Sequence, residues 1–341
     1  MILVEGFPEI ELERDNRDPV LFDPSGKSTA YWFDTVLPEM RVGGLTALKS
    51  LSLRGLEWES LSSSSQRSIV ELCRRLRSLE VITWDPLCIT STAVIQLLSV
   101  ATSLQHFALS FSARGIIHSI KPGQLSSQSE TDSDATLALQ SLEINNSIGC
   151  YLQDLPLHFS SLLITEVSLR GVGKTDVEAL ISFLKACAPS LQQLSLRMHD
   201  LWCVVAQGGL SCATSLRNLT LDASMACIPS IVRQITSPHL TDFNVKIHIP
   251  RVAHLLALDH GQERFDFAQS LTTGPLATTR PRVSILLLSN VDWTPQTESL
   301  HLFRWRSVLL EDLVSLREEG RLRIMRCFED PQTHEEVMSE L

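Results

Sequence analysis

A short apolar motif of the form L-x-x-L-x-L recurs along the chain and constrains its fold more than any other feature. The first residue of its central pair falls at positions 51, 79, 107, 142, 167, 194, 219, 243 and 285, and the ninth copy, Arg282-x-x-Ile285-x-Leu287, is degenerate. The steps between copies are 24 to 28 residues, apart from two of 35 and 42. Such a ladder predicts a stack of similar units, because self-similarity at a nearly fixed period is typical of repeat architectures.

Each copy is expected to hold one strand and one helix. The central L-x-L alternates with the period of a strand, so both apolar side chains face one side. In the first copy, Ser68–Leu76 is apolar at 69, 72, 73 and 76, which is helical spacing. In the fifth copy, Thr175–Glu178 has the pattern of a capping box before an apolar run. We therefore predict an α/β leucine-rich repeat solenoid, a curved horseshoe with parallel strands on its concave face and helices on its convex face.

The regularity of the repeats predicts the domain boundaries. Residues 1–40 are expected to form an N-terminal cap or irregular segment, and residues 41–300 the repeat array. Within the array, the polar stretch 121–136 has almost nothing to bury and predicts a solvated insertion. Its serines and threonine beside acidic residues are candidate phosphorylation sites, the alternative being an unmodified polar loop. Residues 301–327 predict a C-terminal capping helix and strand, and residues 328–341 an acidic tail.

The charge distribution argues against nucleic acid as a partner. The 341-residue chain has a formal net charge of -10. The excess of acidic residues lies in residues 1–40 and 328–341, which leaves the repeats near neutral. A nucleic-acid-binding surface needs a basic patch, so no such partner is expected.

No apolar stretch reaches the roughly 18 residues of a membrane span, so no membrane association is expected.

Cysteine usage favours a cytoplasmic or nuclear protein. The eight cysteines form no C-x-x-C pair, and a disulfide scaffold is usually a short secreted chain. Cys73, Cys187 and Cys212 each lie six or seven residues before the first apolar residue of a strand pair. A shared position at the end of a helix suits a small buried side chain, so we expect reduced, structural thiols.

One segment invites a catalytic or cofactor interpretation, Gly171–Thr175, which reads G-V-G-K-T between a strand and a helix. A phosphate-binding loop is G-x-x-x-x-G-K-[ST], and here Ser168 stands where its first glycine belongs. Because Ser168 lies inside a strand, the loop is too short to wrap phosphates. The ten histidines show no metal-binding spacing, and no G-x-S-x-G motif is present. We expect no enzyme activity, cofactor or metal.

Recognition is then expected to reside on the strand side chains that point away from the core. Their mixed polarity suits a protein partner on the concave face of a solenoid, although some residue must occupy each such position. Arg54, Arg170 and Arg197 follow the second apolar residue of their copies and predict a local basic strip, and arginine is favoured in interfaces. The candidate protein-binding residues are Arg54, Glu80, Ser110, Glu143, Asn145, Arg170, Arg197, Asp222 and Lys246.

The repeats also resemble a known family. The segments Cys187–Leu196 and Cys212–Leu221 resemble the cysteine-bearing leucine-rich repeats of F-box proteins. Together with Leu45–Leu53 and the helix around Trp305, they make residues 40–327 similar to the divergent F-box-type arrays of mushroom-forming (basidiomycete) fungi. This resemblance implies a receptor that tethers a substrate to a ubiquitin ligase, through an N-terminal F-box that binds the ligase adaptor subunit.

No recognisable F-box accompanies these repeats. An F-box is a short helical bundle that opens with a leucine-proline-acid motif. Phe7–Ile10 is followed by a charged stretch with no apolar helical face, and Leu37–Met40 runs directly into the first repeat. Two function classes therefore stay open. One is non-catalytic substrate recognition in the manner of an F-box ubiquitin-ligase receptor, and the other is a leucine-rich repeat scaffold or decoy without a ligase link.

Overall fold

The computed structural model describes ten stretches of the chain, which form two compact units, Met1–Cys187 (unit 1) and Ala188–Leu341 (unit 2). The described residues are 9–13, 34, 47–83, 88–111, 135–146, 149–198, 208–248, 261–288, 295–329 and 336–340.

Unit 1 holds one parallel sheet whose strand order follows the chain. Its strands are β1 (Glu9–Glu13), β2 (Ser50–Arg54), β3 (Ser78–Thr83), β4 (His106–Phe111), β5 (Thr136–Asn145) and β6 (Ser161–Val172). Its helices are α1 (Ser63–Cys73), α2 (Ser91–Val100), α3 (Gly149–His158) and α4 (Val177–Cys187), with short 3-10 turns at Trp58–Ser60 and Lys174–Asp176.

Unit 2 repeats this arrangement and ends on a reversed strand. Its parallel strands are β7 (Gln193–Met198), β8 (Asn218–Asp222), β9 (Asp242–His248), β10 (Arg282–Leu288) and β11 (Leu322–Glu329), and β12 (Glu336–Glu340) runs antiparallel to β11. Its helices are α5 (Ile228–Val232), α6 (Gly261–Thr272), α7 (Gly274–Thr279), α8 (Pro295–Asp312) and α9 (Val314–Glu318), with a 3-10 turn at Met225–Cys227.

Strand register places the apolar pairs of successive repeats side by side. In unit 1 the first residues of the pairs align, and so do the second residues, each set forming a buried row. The apolar positions predicted for the first helix are also buried, although α1 ends at Cys73 and Leu76 lies beyond it. They are Ile69, Leu72, Cys73 and Leu76. The predicted α/β leucine-rich repeat architecture is therefore confirmed within each unit. The two rows of unit 1 are Leu51, Leu79, Phe107, Leu142 and Val167, and Leu53, Val81, Leu109, Ile144 and Leu169.

The ninth copy of the motif lies two residues earlier than predicted. Val283, and not Ile285, pairs with Phe243, the first apolar residue of the eighth copy. Residues 285–288 are all apolar, and a shift of two residues keeps every side chain on the same face of a strand. The pattern alone therefore could not choose between the two registers.

A strand also lies upstream of the first copy. In β1, Ile10 pairs with Leu51 and Leu12 pairs with Leu53, within the segment for which the sequence indicated no repeat. Its only signal is the short alternation Ile10-Glu11-Leu12.

Parts of the predicted insertion 121–136 and of the predicted tail 328–341 lie in β-strands. Thr136, the last residue of the predicted insertion 121–136, begins β5, while residues 121–134 lie outside the described residues. Part of the predicted tail is paired strand, because Glu336–Glu340 forms β12. The other boundaries of the domain scheme stay predictions.

Three cysteines were predicted to be small buried residues at the ends of helices, and two of them are. Cys73 and Cys187 are the last residues of α1 and α4, and both are fully buried. Cys212 is half-buried in a turn, where its Sγ contacts the carbonyl oxygen of Gly209 at 3.4 Å. All three are free thiols. The expectation of a buried small side chain is confirmed for Cys73 and Cys187.

Burial of Cys73 makes stability depend on pH in the alkaline range. Desolvation raises the pKa of this thiol from 9.0 to about 12. Because the pKa is higher in the folded chain, its contribution is complete below pH 9 and is lost as the pH rises towards 12. Between pH 8 and pH 10, we expect wild type to lose about 1 kcal/mol more unfolding free energy than Cys73→Ala. Denaturant unfolding of both proteins at both pH values measures this difference, and equal losses would contradict the assignment.

Candidate binding surface

The outer face of each sheet is the side opposite the buried apolar rows. On this face, the first outer row holds the residue between the two apolar positions of each copy, and the second outer row holds the residue after them. All nine candidate residues belong to these rows. Arg170 and Arg197 are exposed, Asp222 is buried and the other six are half-buried. Their role in binding stays a prediction.

Hydrogen bonds connect polar side chains on the outer face of unit 1, both between neighbouring strands and within β5. Ser52 Oγ donates to Glu80 Oε2 at 2.7 Å, between β2 and β3. Asn145 Nδ2 donates to Ser110 Oγ at 2.9 Å and to Glu143 Oε1 at 3.1 Å. Among the described residues, Asn145 Oδ1 has no hydrogen-bond partner although it is buried. These bonds hold Glu80, Glu143 and Asn145 in defined positions.

The predicted basic strip does not form between Arg54 and Arg170. Arg54 lies on β2 and Arg170 on β6, so three strands separate them, about 19 Å at the usual strand spacing. The positions between them in the second outer row are Ile82, Ser110 and Asn145. The interpretation was wrong for this pair because the intervening copies lack arginine.

In unit 2, four charged residues of the outer face form two ion pairs. Arg197 Nε lies 3.2 Å from Asp222 Oδ2, and Asp222 is followed across the sheet by Lys246. Asp222 was predicted as an open contact position, but the structure buries it beside Arg197. A second pair, Arg282 with Asp242 at 2.7 Å, lies one position before the apolar pairs. Sequence reasoning missed it, although the two-residue period of a strand places that position on the same face.

The glycine-rich segment serves as a repeat turn. Gly171, the second-last residue of β6, has φ +78°. At the corresponding position of their repeats, Gly55 and Asn146 directly follow β2 and β5 and have φ +72° and +66°. The backbone N–H of Gly173 donates to Asp176 Oδ2 at 2.9 Å, within a 3-10 turn. A carboxylate therefore binds the amide that a phosphate-binding loop would offer to its ligand, and the arrangement does not support nucleotide binding.

In the described part of the chain, no group of three or more histidine, cysteine or acidic residues is arranged to hold a metal ion. The helices of the described residues include none with both the length and the apolar composition needed to cross a bilayer.

Comparison with known proteins finds a likeness among solved structures. No family model and no curated protein matches the chain. Among solved structures, the chain is similar to the leucine-rich repeat-containing protein LegL7 from Legionella pneumophila, with 15% sequence identity and a TM-score of 0.46. The match covers 96% of this chain and 92% of that one. Because the TM-score is low, we base the fold assignment on the strand register of each unit.

Proposed function

We propose that this chain is a non-catalytic protein-binding module and that its partner docks on the outer face of the sheet, the face expected to be concave. The observation that carries this proposal is the set of side-chain hydrogen bonds, two between strands and one within β5, that fixes Glu80, Glu143 and Asn145 of unit 1. Side chains already held in place lose less conformational entropy on binding.

The resemblance to F-box repeats gives this binding a specific role. In that role, the outer face selects a substrate for a ubiquitin ligase, in the cytoplasm or nucleus. One observation stands against contact with the ligase adaptor: the last two residues of the F-box-like motif Phe7–Ile10 begin the strand β1 and not a helix. The alternative is a leucine-rich repeat scaffold or decoy with the same binding face and no ligase link.

A surface-variant comparison tests the binding face. In the variant Glu80→Ala/Glu143→Ala, the outer face of unit 1 loses two carboxylates. In the matched control Glu71→Ala/Arg74→Ala, the exposed ion pair at the C-terminal end of α1 in the same unit is removed. Proteins crosslinked to the wild-type chain in cells, identified by mass spectrometry, are expected to be lost with the first variant and retained with the control. An identical set of partners for both variants would contradict the proposal.

Co-purification with the ligase adaptor subunit separates the two roles. A receptor is expected to retain the purified adaptor during gel filtration, and a scaffold or decoy is expected to elute without it. The outer-face variant should not change this result, since the adaptor is expected to bind outside the repeats.

A further inference from the structure

Among the described residues, β1 is the first strand of the unit 1 sheet and has one open edge. Its five residues, Glu9–Glu13, pair with β2 on one side. On the other side, no strand of the described residues pairs with it. Because successive residues of a strand direct their backbone N–H and C=O groups to opposite sides, about half of these groups in β1 face the open edge. Such an edge is a template for an additional strand.

The register of β1 defines which residues an added strand needs. It pairs Ile10 with Leu51 and Leu12 with Leu53. These two positions therefore continue the two buried apolar rows of unit 1. A further strand can extend both rows only if it carries apolar residues at alternate positions, because successive side chains of a strand point to opposite faces. The edge thus favours a segment with a two-residue apolar period.

The remaining positions of β1 are all glutamates. They lie at outer-face positions of the sheet and are Glu9, Glu11 and Glu13. Opposite charges directly across two strands stabilise their pairing, and like charges destabilise it. Basic residues are therefore favoured at the outer-face positions of an added strand. The formal net charge of the chain, -10, acts in the same direction, because it attracts a basic segment and repels an acidic one.

A second copy of this chain is a poor occupant of the same edge. Two β1 strands in register place glutamate opposite glutamate, whether they run parallel or antiparallel, and like charges in this position are destabilising. A shift of one residue removes that contact, but it moves the apolar residues of one strand to the outer face. The composition of β1 therefore opposes self-association and leaves a different protein as the partner.

We propose that the open edge of β1 binds an extended segment of another protein in which apolar and basic residues alternate, and that this segment adds a strand to the sheet. In this mode of recognition, main-chain hydrogen bonds supply affinity and the alternate side chains supply specificity. The site lies at the end of the sheet and not on its outer face. It therefore goes beyond the proposed function and does not depend on it.

Peptide binding to the full chain tests this inference. The probe is a fluorescein-labelled nonapeptide of alternating lysine and valine, followed by fluorescence anisotropy. One comparison peptide has the same composition with the lysines and valines in separate blocks, and the other has glutamate in place of lysine. We expect the alternating lysine peptide to bind at least about tenfold more tightly than either of them.

Backbone methylation of the probe separates strand addition from charge attraction. One version carries an N-methyl group on every valine, and the other carries one on every lysine. Because only alternate N–H groups of an added strand face β1, we expect one version to lose at least about tenfold in affinity and the other less than about twofold. Charge attraction alone does not distinguish the two versions, since their charges are the same.

Charge reversal in the protein locates the site. We expect Glu9→Lys/Glu11→Lys to weaken binding of the alternating peptide at least about tenfold. The control Glu311→Lys/Glu318→Lys makes the same charge change at exposed positions of α8 and α9, and is expected to alter the affinity by less than about twofold. Unfolding curves establish that both variants fold, and the milder Glu9→Gln/Glu11→Gln is expected to show an intermediate loss.

Failure of the alternating peptide to bind would overturn the inference. Equal binding of the block peptide, equal effects of the two methylations, or equal weakening by the control would overturn it as well. Dimerisation of the wild-type chain in competition with the peptide would assign the edge to a second copy instead. None of these outcomes affects the proposed function, because its test depends on Glu80 and Glu143 of the outer face.

Discussion

Replacement of Leu169 by alanine is expected to lower the free energy of unfolding by about 2–5 kcal/mol. Leu169 is fully buried on β6, where it aligns with Ile144 of the neighbouring strand. The truncation removes apolar contacts and leaves a cavity that a close-packed interior fills only in part. Because stacked repeats share one core, the loss weakens the contact with the adjacent repeat as well.

Leu163 is the matched control for this experiment. It lies on the same strand, but its side chain is 48% exposed. We expect Leu163→Ala to change the free energy of unfolding by less than about 1 kcal/mol. Urea denaturation followed by circular dichroism measures both variants. Equal losses would mean that the two faces of β6 are not distinguished by burial as described.

Alanine at position 171 is expected to cost more than the roughly 1–3 kcal/mol of a strained backbone conformation alone. Gly171 has φ +78°, a region that residues with a Cβ adopt only with strain. A Cβ built there would also lie 2.5 Å from Asn146 Oδ1 and 3.2 Å from Asn146 Cα. The second of these contacts is with backbone, so side-chain rotation cannot relieve it.

Gly274 separates the two causes. Its φ is +64°, but a Cβ at this position would meet nothing within 4 Å. Gly274→Ala therefore reports backbone strain alone, and we expect Gly171→Ala to be at least about 1 kcal/mol worse in thermal or denaturant unfolding. Adding Asn146→Gly should recover part of the difference, because it removes the Oδ1 contact. If the two alanine variants are equally stable, the close approach of Asn146 to position 171 does not affect the free energy of unfolding.

The sequence predicted the repeat architecture well because its signal is physical and local. An L-x-L pair can bury both leucines only by facing them the same way, and nine copies at similar steps leave few alternatives to a stack. The same reasoning failed at β10, where Val283 takes the position assigned to Ile285, because apolar residues follow one another without a break. It expected a cap or irregular segment over residues 1–40 but did not locate β1 there, because the short alternation of β1 has no repeat spacing beside it.

The sequence predicted which residues face away from the core, and the strand register of the structure then corrected their surroundings. Alternation identified which residues leave the core, so all nine candidates lie on the outer rows. It could not show that Asp222 is buried beside Arg197, or that Asn145 connects Ser110 with Glu143. Those facts depend on which side chains lie on adjacent strands and on how far each reaches.

The sequence by itself determined that the chain is a series of strand and helix repeats with an apolar row on one side of each strand, because periodicity is encoded in neighbouring residues. Only the tertiary structure decided which outward charges are shielded and which are presented. Such pairing joins residues 25 to 40 positions apart, as in Arg197 with Asp222 and Asp242 with Arg282. Ion-pair geometry is set by the strand register, and the register is fixed only when the repeats stack.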